Sequence, residues 1–226
     1  WRQKSLRAYL FDGELPYYLL VLGASSLLIA WYIWLKGVYP DFFEALRHSA
    51  FHTVSVATSL GMVTQDYAQW PYFVPFWMLF LGSFAVCSGS TGGGIKMMRA
   101  IILYKQVFRE FVRSIHPNAV YPVKLGRETL STQILFAVLA FAFLYMVSIV
   151  SLTLILSATE LDIITAFSAV VACLNNTGPG LGAVGPASNF GGLTDLQTWF
   201  CSFTMLLGRL EIFTLLVVMN PSFWKN

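Results

Sequence analysis

The sequence predicts an all-α integral membrane protein made of two parallel units, each reading span, short helix, glycine segment, span. Three observations lead there. The 226-residue chain is 57% hydrophobic and only 11% charged, with a mean hydropathy of +0.66, whereas an ordinary soluble domain carries about 25% charged residues. Two glycine-bearing segments, Ser59-Leu60-Gly61-Met62 and Asn175-Asn176-Thr177-Gly178-Pro179-Gly180-Leu181-Gly182, each close a modest apolar stretch and precede a full-length one. The basic residues gather in patches between apolar runs, most densely from Lys96 to Arg127.

Taken in order, Leu15 to Leu35 is almost uncharged and has about the ~20 residues that cross a hydrocarbon core. Pro40-Asp41 stops and restarts the chain, with Asp41 placed to cap a helix from Phe42 to about Thr58. Glu44, Arg47, His48 and His52 make that helix too polar to face lipid along its length, so it reads as re-entrant, ending at the Gly61 segment. A second apolar run goes from Tyr72 to Val86 and meets the Gly/Ser/Thr run 87–94. An unbroken helix over 72–106 would be roughly 50 Å long, well beyond the ~30 Å core, so a span broken inside the membrane is predicted.

The plan then recurs. Gln133 to Ala158 forms a span, a short helix runs from about Ile163 to Leu174, the second glycine segment follows, and a last continuous span covers about Gln197 to Met219 before Pro221. Asp41-Phe-Phe-Glu-Ala-Leu46 parallels Asp162-Ile-Ile-Thr-Ala-Phe167, and Ala50-Phe51 with Val54 parallels Ala166-Phe167 with Val170, in a different register. Lys96, Arg99, Lys105, Arg109, Arg113, Lys124, Arg127 and the opening Arg2, Lys4 and Arg7 are placed in the cytoplasm by the positive-inside rule, as is Lys225. Each unit then begins and ends on one side, which makes the repeats parallel and weighs against inverted-repeat transporters. A start at Trp1 without an initiator Met points to the C-terminal part of a longer protein.

Bare backbone at membrane depth survives only inside protein or along water, and carbonyls held in that way are the usual ligands of a dehydrated alkali cation. A short helix ending at mid-membrane also turns the negative end of its macrodipole, about half a charge, toward that point. Ion permeation is therefore the leading reading. Two units supply two walls, and a four-sided cage needs two more. A solute transporter with discontinuous helices at a midplane site is the runner-up, and a structural membrane subunit is a third class.

At Val54-Ser-Val-Ala-Thr-Ser-Leu-Gly61, Ala68-Gln-Trp-Pro71, Gly89-Ser-Thr-Gly-Gly-Gly-Ile-Lys96, His116-Pro-Asn-Ala-Val120, Lys124-Leu-Gly126, Leu174-Asn-Asn-Thr-Gly-Pro-Gly-Leu-Gly182 and Leu207-Gly-Arg-Leu-Glu-Ile-Phe-Thr214 the chain resembles the Trk/Ktr superfamily of potassium transporters, within it the bacterial TrkH type. The resemblance implies half of a four-repeat, potassium-channel-like pore, with the third repeat at 1–127 and the fourth at 128–226. It implies a K⁺ filter of backbone carbonyls at Thr58, Ser59, Leu60 and Gly61 and at Asn176, Thr177, Gly178 and Pro179. It places an intramembrane gating loop on Ser88, Gly89, Ser90, Thr91, Gly92, Gly93 and Gly94, and a pore-facing barrier at Arg209. It further implies K⁺ uptake, passive or by symport, in the bacterial inner membrane with both termini of this segment cytoplasmic. The expected partners are membrane lipid, a second copy in a homodimer, and a TrkA-like nucleotide-binding regulatory subunit. Leu60 departs from the family in standing where many relatives carry a small or hydroxyl residue.

Several residues keep two readings. Asn175 and Asn176 either line the ion path or brace the filter. Residues 88–94 either form a movable barrier or let two helices pack closely. His48 and His52, spaced i,i+4, suit either polar packing or a metal. Lys105, Arg109 and Arg113 suit lipid headgroups, a regulatory subunit or plain solvent. Arg209 and Glu211 sit two apart and cannot share a helix face, so Arg209 is expected at the aqueous path and Glu211 on another helix or a cytoplasmic group. Cys87, Cys173 and Cys201 lie far apart in apolar segments and read as small buried hydrophobes. The run from Cys87 to Lys96 lacks the G-x-x-x-x-G-K-[ST] spacing of a phosphate loop. No catalytic set, organic cofactor or nucleic-acid footprint is predicted.

Overall fold

The computed structural model describes residues 13–117, 121–126 and 128–225. The basic residues Arg2, Lys4, Arg7 and Arg127, and Asn118, Ala119 and Val120 of the family-like stretch His116-Pro-Asn-Ala-Val120, lie outside the described residues. Helices α1 (Leu15–Leu35), α2 (Phe42–Ala57), α3 (Phe73–Phe84) and α4 (Met97–Ile115) form the first half. A two-residue antiparallel pair, β1 (Lys124–Leu125) and β2 (Glu128–Thr129), leads to α5 (Thr132–Ser157), α6 (Ile163–Asn175), α7 (Asp195–Arg209) and α8 (Ile212–Met219).

Among the described residues, α1 and α5 are each long and apolar enough to cross a membrane, and α7 with α8 makes a third crossing if taken as one bent span. With 26 residues α5 is about 39 Å long. Both long helices bury one stripe and leave the rest apolar and exposed, the pattern of a helix facing lipid. On α1 the stripe is Ser25, Ser26, Ile29, Ala30 and Ile33, and the Ser49 hydroxyl of α2 donates to the Ser26 carbonyl at 2.7 Å. Small residues at that seam let the two backbones approach.

Helix α6 lies innermost, with Thr165, Ala166 and Ser168 to Asn175 all buried. The largest hydrophobic cluster joins the halves through Ile29, Val56, Met78, Tyr145, Leu174 and Leu207. Asp41 stands at the N-cap of α2, but its carboxylate makes no capping hydrogen bond there; Asp162 does cap α6, accepting from the Thr165 amide at 3.2 Å.

The expected break in the first unit is present, from Ala85 to Lys96. The expected unbroken last span is not. The chain turns by 108° between α7 and α8, and Glu211 takes φ +58°. Its carboxylate is drawn to Lys96 and Arg99 at 3.2 and 3.0 Å, which holds a backbone form that a non-glycine residue adopts only at a cost of about 1–3 kcal/mol. Lys96, the residue that opens α4, has φ +65°. The second spans of both units therefore restart at a charged residue with positive φ, and those two residues pair with each other.

Close packing on α6 depends on Gly208, where an added Cβ would collide with the Leu174 carbonyl oxygen. Gly208→Val is expected to cost about 1–3 kcal/mol through overpacking, seen as a lower Tm in detergent. Gly23→Ala, a site with nothing within 4 Å, should leave Tm unchanged or raise it.

Candidate functional site

The site grows from the way α2 and α6 end. The Ser59 amide donates to Val56 O at 3.1 Å and the Leu60 amide to Ser55 O at 2.9 Å; the Asn176 amide donates to Cys173 O at 3.1 Å and the Thr177 amide to Ala172 O at 3.0 Å. Each pair is a Schellman exit, which needs a residue with positive φ just past the helix. Ser59 (φ +56°) and Asn176 (φ +55°) take that place, and two residues on Gly61 (φ +72°) and Gly178 (φ +97°) repeat the turn. Ser59 corresponds to Asn176 and Gly61 to Gly178, so Ala50 corresponds to Phe167. The pairing of Ala50 with Ala166 is thus one residue out, while Asp41 and Asp162 match at the helix starts.

The two segments meet. A Cβ built on Gly178 would lie 3.6 Å from the Gly61 Cα, and one on Gly61 would lie 2.8 Å from the Thr177 carbonyl oxygen. Thr58, Leu60 and Gly178 are exposed, Ser59, Gly61, Asn176 and Pro179 half-buried, and Thr177 buried. Bracing comes from side chains behind. Fully buried Asn175 accepts from the Tyr145 hydroxyl at 2.9 Å and donates to Ser83 Oγ at 3.1 Å. Asn176 donates to Met205 O at 3.3 Å, and Ser55 Oγ donates to Met62 O at 2.7 Å. His52 is buried between Tyr67 and Trp70 with Nε2 3.3 Å from Thr64 Oγ1, and His48 stacks on Tyr39. Both histidines are packing groups, and no cluster of metal-ligating side chains occurs among the described residues.

Residues 88–94 lie at the ends of both short helices and divide in two. Gly92, Gly93 and Gly94 are buried. The Gly93 amide donates to Asn175 O at 3.2 Å, and added Cβ atoms would meet Ser59 Oγ at 2.9 Å from Gly92 and Leu174 O at 2.5 Å from Gly93. Cys87, Gly89 and Thr91 are exposed, with Ser88 and Ser90 half-buried between them. This arch is tied at both sides. The Ser88 amide and hydroxyl donate to Glu14 Oε1 at 2.7 and 2.9 Å, and the Arg209 guanidinium donates to the Thr91 carbonyl.

A family model named TrkH and described as a cation transport protein matches residues 40–225. The chain belongs to the TrkH family. The Trk system potassium uptake protein TrkH of Salmonella typhimurium is 40% identical over 223 residues, which is 99% of this chain and 46% of that protein. TrkH of Halomonas elongata is also 40% identical, over all of this chain and 46% of its own length. TrkG of Escherichia coli K12, another Trk system potassium uptake protein, is 35% identical over 99% of this chain and 46% of its own. The crystal structure of the potassium transporter TrkH from Vibrio parahaemolyticus superposes with a TM-score of 0.90 at 39% identity, covering 97% of this chain and 46% of that one. The chain therefore has the TrkH fold and spans about half the length of the relatives it matches.

Within this TrkH-family chain the structure brings Thr58 to Gly61, Asn176 to Pro179, residues 88–94 and Arg209 into one region. Arg209 and Glu211 point to different partners: Arg209 to Thr91, Glu211 to Lys96 and Arg99, whose guanidinium also lies 4.1 Å over the Phe141 ring. Sequence reasoning missed Glu14, only 7% exposed, and the Tyr145–Asn175–Ser83 chain. The signal for Glu14 was a carboxylate two residues before Pro16, at the head of an otherwise uncharged span.

Asn175→Ala leaves the Tyr145 and Ser83 hydroxyls without their shared partner. The expected cost is about 1–3 kcal/mol, seen as a lower Tm of the purified full-length protein. An unchanged Tm would show that the amide carries no bracing load.

Proposed function

We propose that the full-length protein takes up potassium across the bacterial inner membrane and that this chain supplies two of the four walls of its pore, residues 1–127 as the third repeat and 128–226 as the fourth. The observation that carries the reading is the contact of Gly61 with Gly178, each at the C-terminal exit of a short helix. Carbonyls of Thr58 to Gly61 and Asn176 to Pro179 replace part of the water shell of K⁺. The negative ends of α2 and α6 favour a cation there. Schellman bonds and the asparagine braces hold these oxygens in place before an ion arrives.

Beneath the filter, Gly92 to Gly94 anchor the gating loop and the arch Ser88 to Thr91 obstructs the path. Arg209 grips Thr91 and adds a positive barrier to cations. The resident charge at Arg209 is tolerated because it sits on the aqueous path; at the centre of a lipid-facing helix a charge costs at least ~2.5–3.5 kcal/mol. The chain acts as an ion conductor rather than an enzyme, in a homodimer, with a TrkA-like regulatory subunit on the cytoplasmic face where both termini of this segment lie. The names of the relatives, Trk system potassium uptake proteins, support the substrate and a system of several components. The paired breaks at Lys96 and Glu211 also suit a cation-coupled solute transporter with discontinuous helices. That second reading predicts solute uptake without K⁺ rescue.

The full-length gene is expected to restore growth of a potassium-uptake-deficient bacterium at low external K⁺. Gly61→Ser forces a side chain against the Thr177 carbonyl in a backbone form that strains it. Discrimination of K⁺ over Na⁺ should fall by about tenfold, equivalent to about 1.4 kcal/mol, with insertion intact; unchanged selectivity in a flux assay would refute the filter assignment. Arg209→Ala should raise K⁺ flux, and a lower flux at equal expression would contradict the barrier role.

A further inference from the structure

Between α3 and α4 of the first half and α5 and α6 of the second lies a cleft of about 650 Å³, within the about 300–1,000 Å³ of ordinary ligand sites. Its walls are apolar, among them Phe80, Phe84, Leu103, Met146 and Ile149. The Ser83 and Tyr145 hydroxyls on its lining are both committed to Asn175. A polar solute gains nothing in such a space, whereas an acyl chain fits its chemistry. Tyr104 lines this cleft and also a second one of about 460 Å³, where Lys105 and Lys124 sit among Phe108 and Tyr121 with no acidic side chain in the lining among the described residues. The apolar and the basic cleft thus share one lining side chain.

We infer that this seam binds one anionic phospholipid, its acyl chain in the apolar cleft and its phosphate between Lys105 and Lys124. Both halves of the chain contribute to the walls of the seam. Along α4 Lys105, Arg109 and Arg113 alternate with the exposed apolar Tyr104, Val107, Phe108 and Phe111, the make-up of a helix lying at the headgroup layer. The Lys105 ammonium is held at that level by Lys124 O at 2.8 Å and the Tyr17 ring at 5.9 Å. A basic residue near an anionic surface strengthens attachment by roughly fivefold. The acyl chain would lie against Ser83 and Ile95, directly behind Gly94, where an added Cβ would fall 2.6 Å from the Ser83 carbonyl oxygen.

The test is native mass spectrometry of the purified full-length protein, titrated with phosphatidylglycerol and with phosphatidylcholine of the same acyl chains. One phosphatidylglycerol per chain should be retained, in preference to phosphatidylcholine by about tenfold or more. The double variant Lys105→Gln, Lys124→Gln should lose about 25-fold in phosphatidylglycerol affinity and keep its weak phosphatidylcholine binding, with an unchanged size-exclusion profile reporting the fold. Met146→Trp, which fills the cleft, should weaken both lipids. Equal retention of the two lipids, preference surviving the double variant, or binding indifferent to Met146→Trp (the behaviour of a free phosphate site) would each overturn the inference. So would a co-purifying polypeptide that occupies the seam and excludes lipid.

Discussion

Backbone without helical hydrogen bonds must find its partners inside the protein when it lies at membrane depth, and the organisation of this chain around α6 answers that demand. The carbonyls of Ala172 and Cys173 are taken by the Schellman exit, and that of Asn175 by the Gly93 amide. Gly208 lets α7 come against the Leu174 carbonyl. In return the non-helical run 85–96 obtains partners of its own: Ile95 from Ser83 O, Met97 from Val86 O, Ser88 from Glu14. Small side chains on α6 are what allow so many backbones to approach one helix.

The second constraint is electrostatic. Both second spans are interrupted, and each restarts at a residue of opposite charge, Lys96 and Glu211, joined by an ion pair that Arg99 completes. The two interruptions thus stabilise one another across the seam between the halves. Arg209, two residues back, is left to reach the Thr91 carbonyl. The division of labour between two charges only two residues apart follows from the bend itself, because a straight helix would have sent them to different faces without bringing either to its partner.

Much of the fold was legible because its signals are local. Helix α1 occupies Leu15–Leu35, the limits its uncharged run implied, and α2, α5 and α6 fall within a residue or so of the limits read from hydropathy and capping. The glycine segments were legible because positive φ leaves a mark in composition. What escaped was non-local. Leu210-Glu211 contains neither Gly nor Pro, and its break depends on cations far away in sequence. The Asp41 carboxylate has the right position and no capping bond, and Glu14 matters through Ser88, three helices further along the chain. In the candidate site, residues 58–61 and 176–179 are neighbours in space, which the repeat pattern implied. The separate fates of Gly92–Gly94 and Ser88–Thr91 needed the packing to be seen.

The asymmetry at the helix ends has its own consequence. Asn175 is locked between Tyr145 and Ser83, whereas its counterpart in the first half, Thr58, is exposed and bonds back to its own helix at Val54 O, 2.7 Å away. An assembly of identical subunits must repeat every such choice around its axis. Two units carried on one polypeptide are released from that symmetry, so one can stiffen while the other stays compliant, and mutations at matching positions will be tolerated unequally.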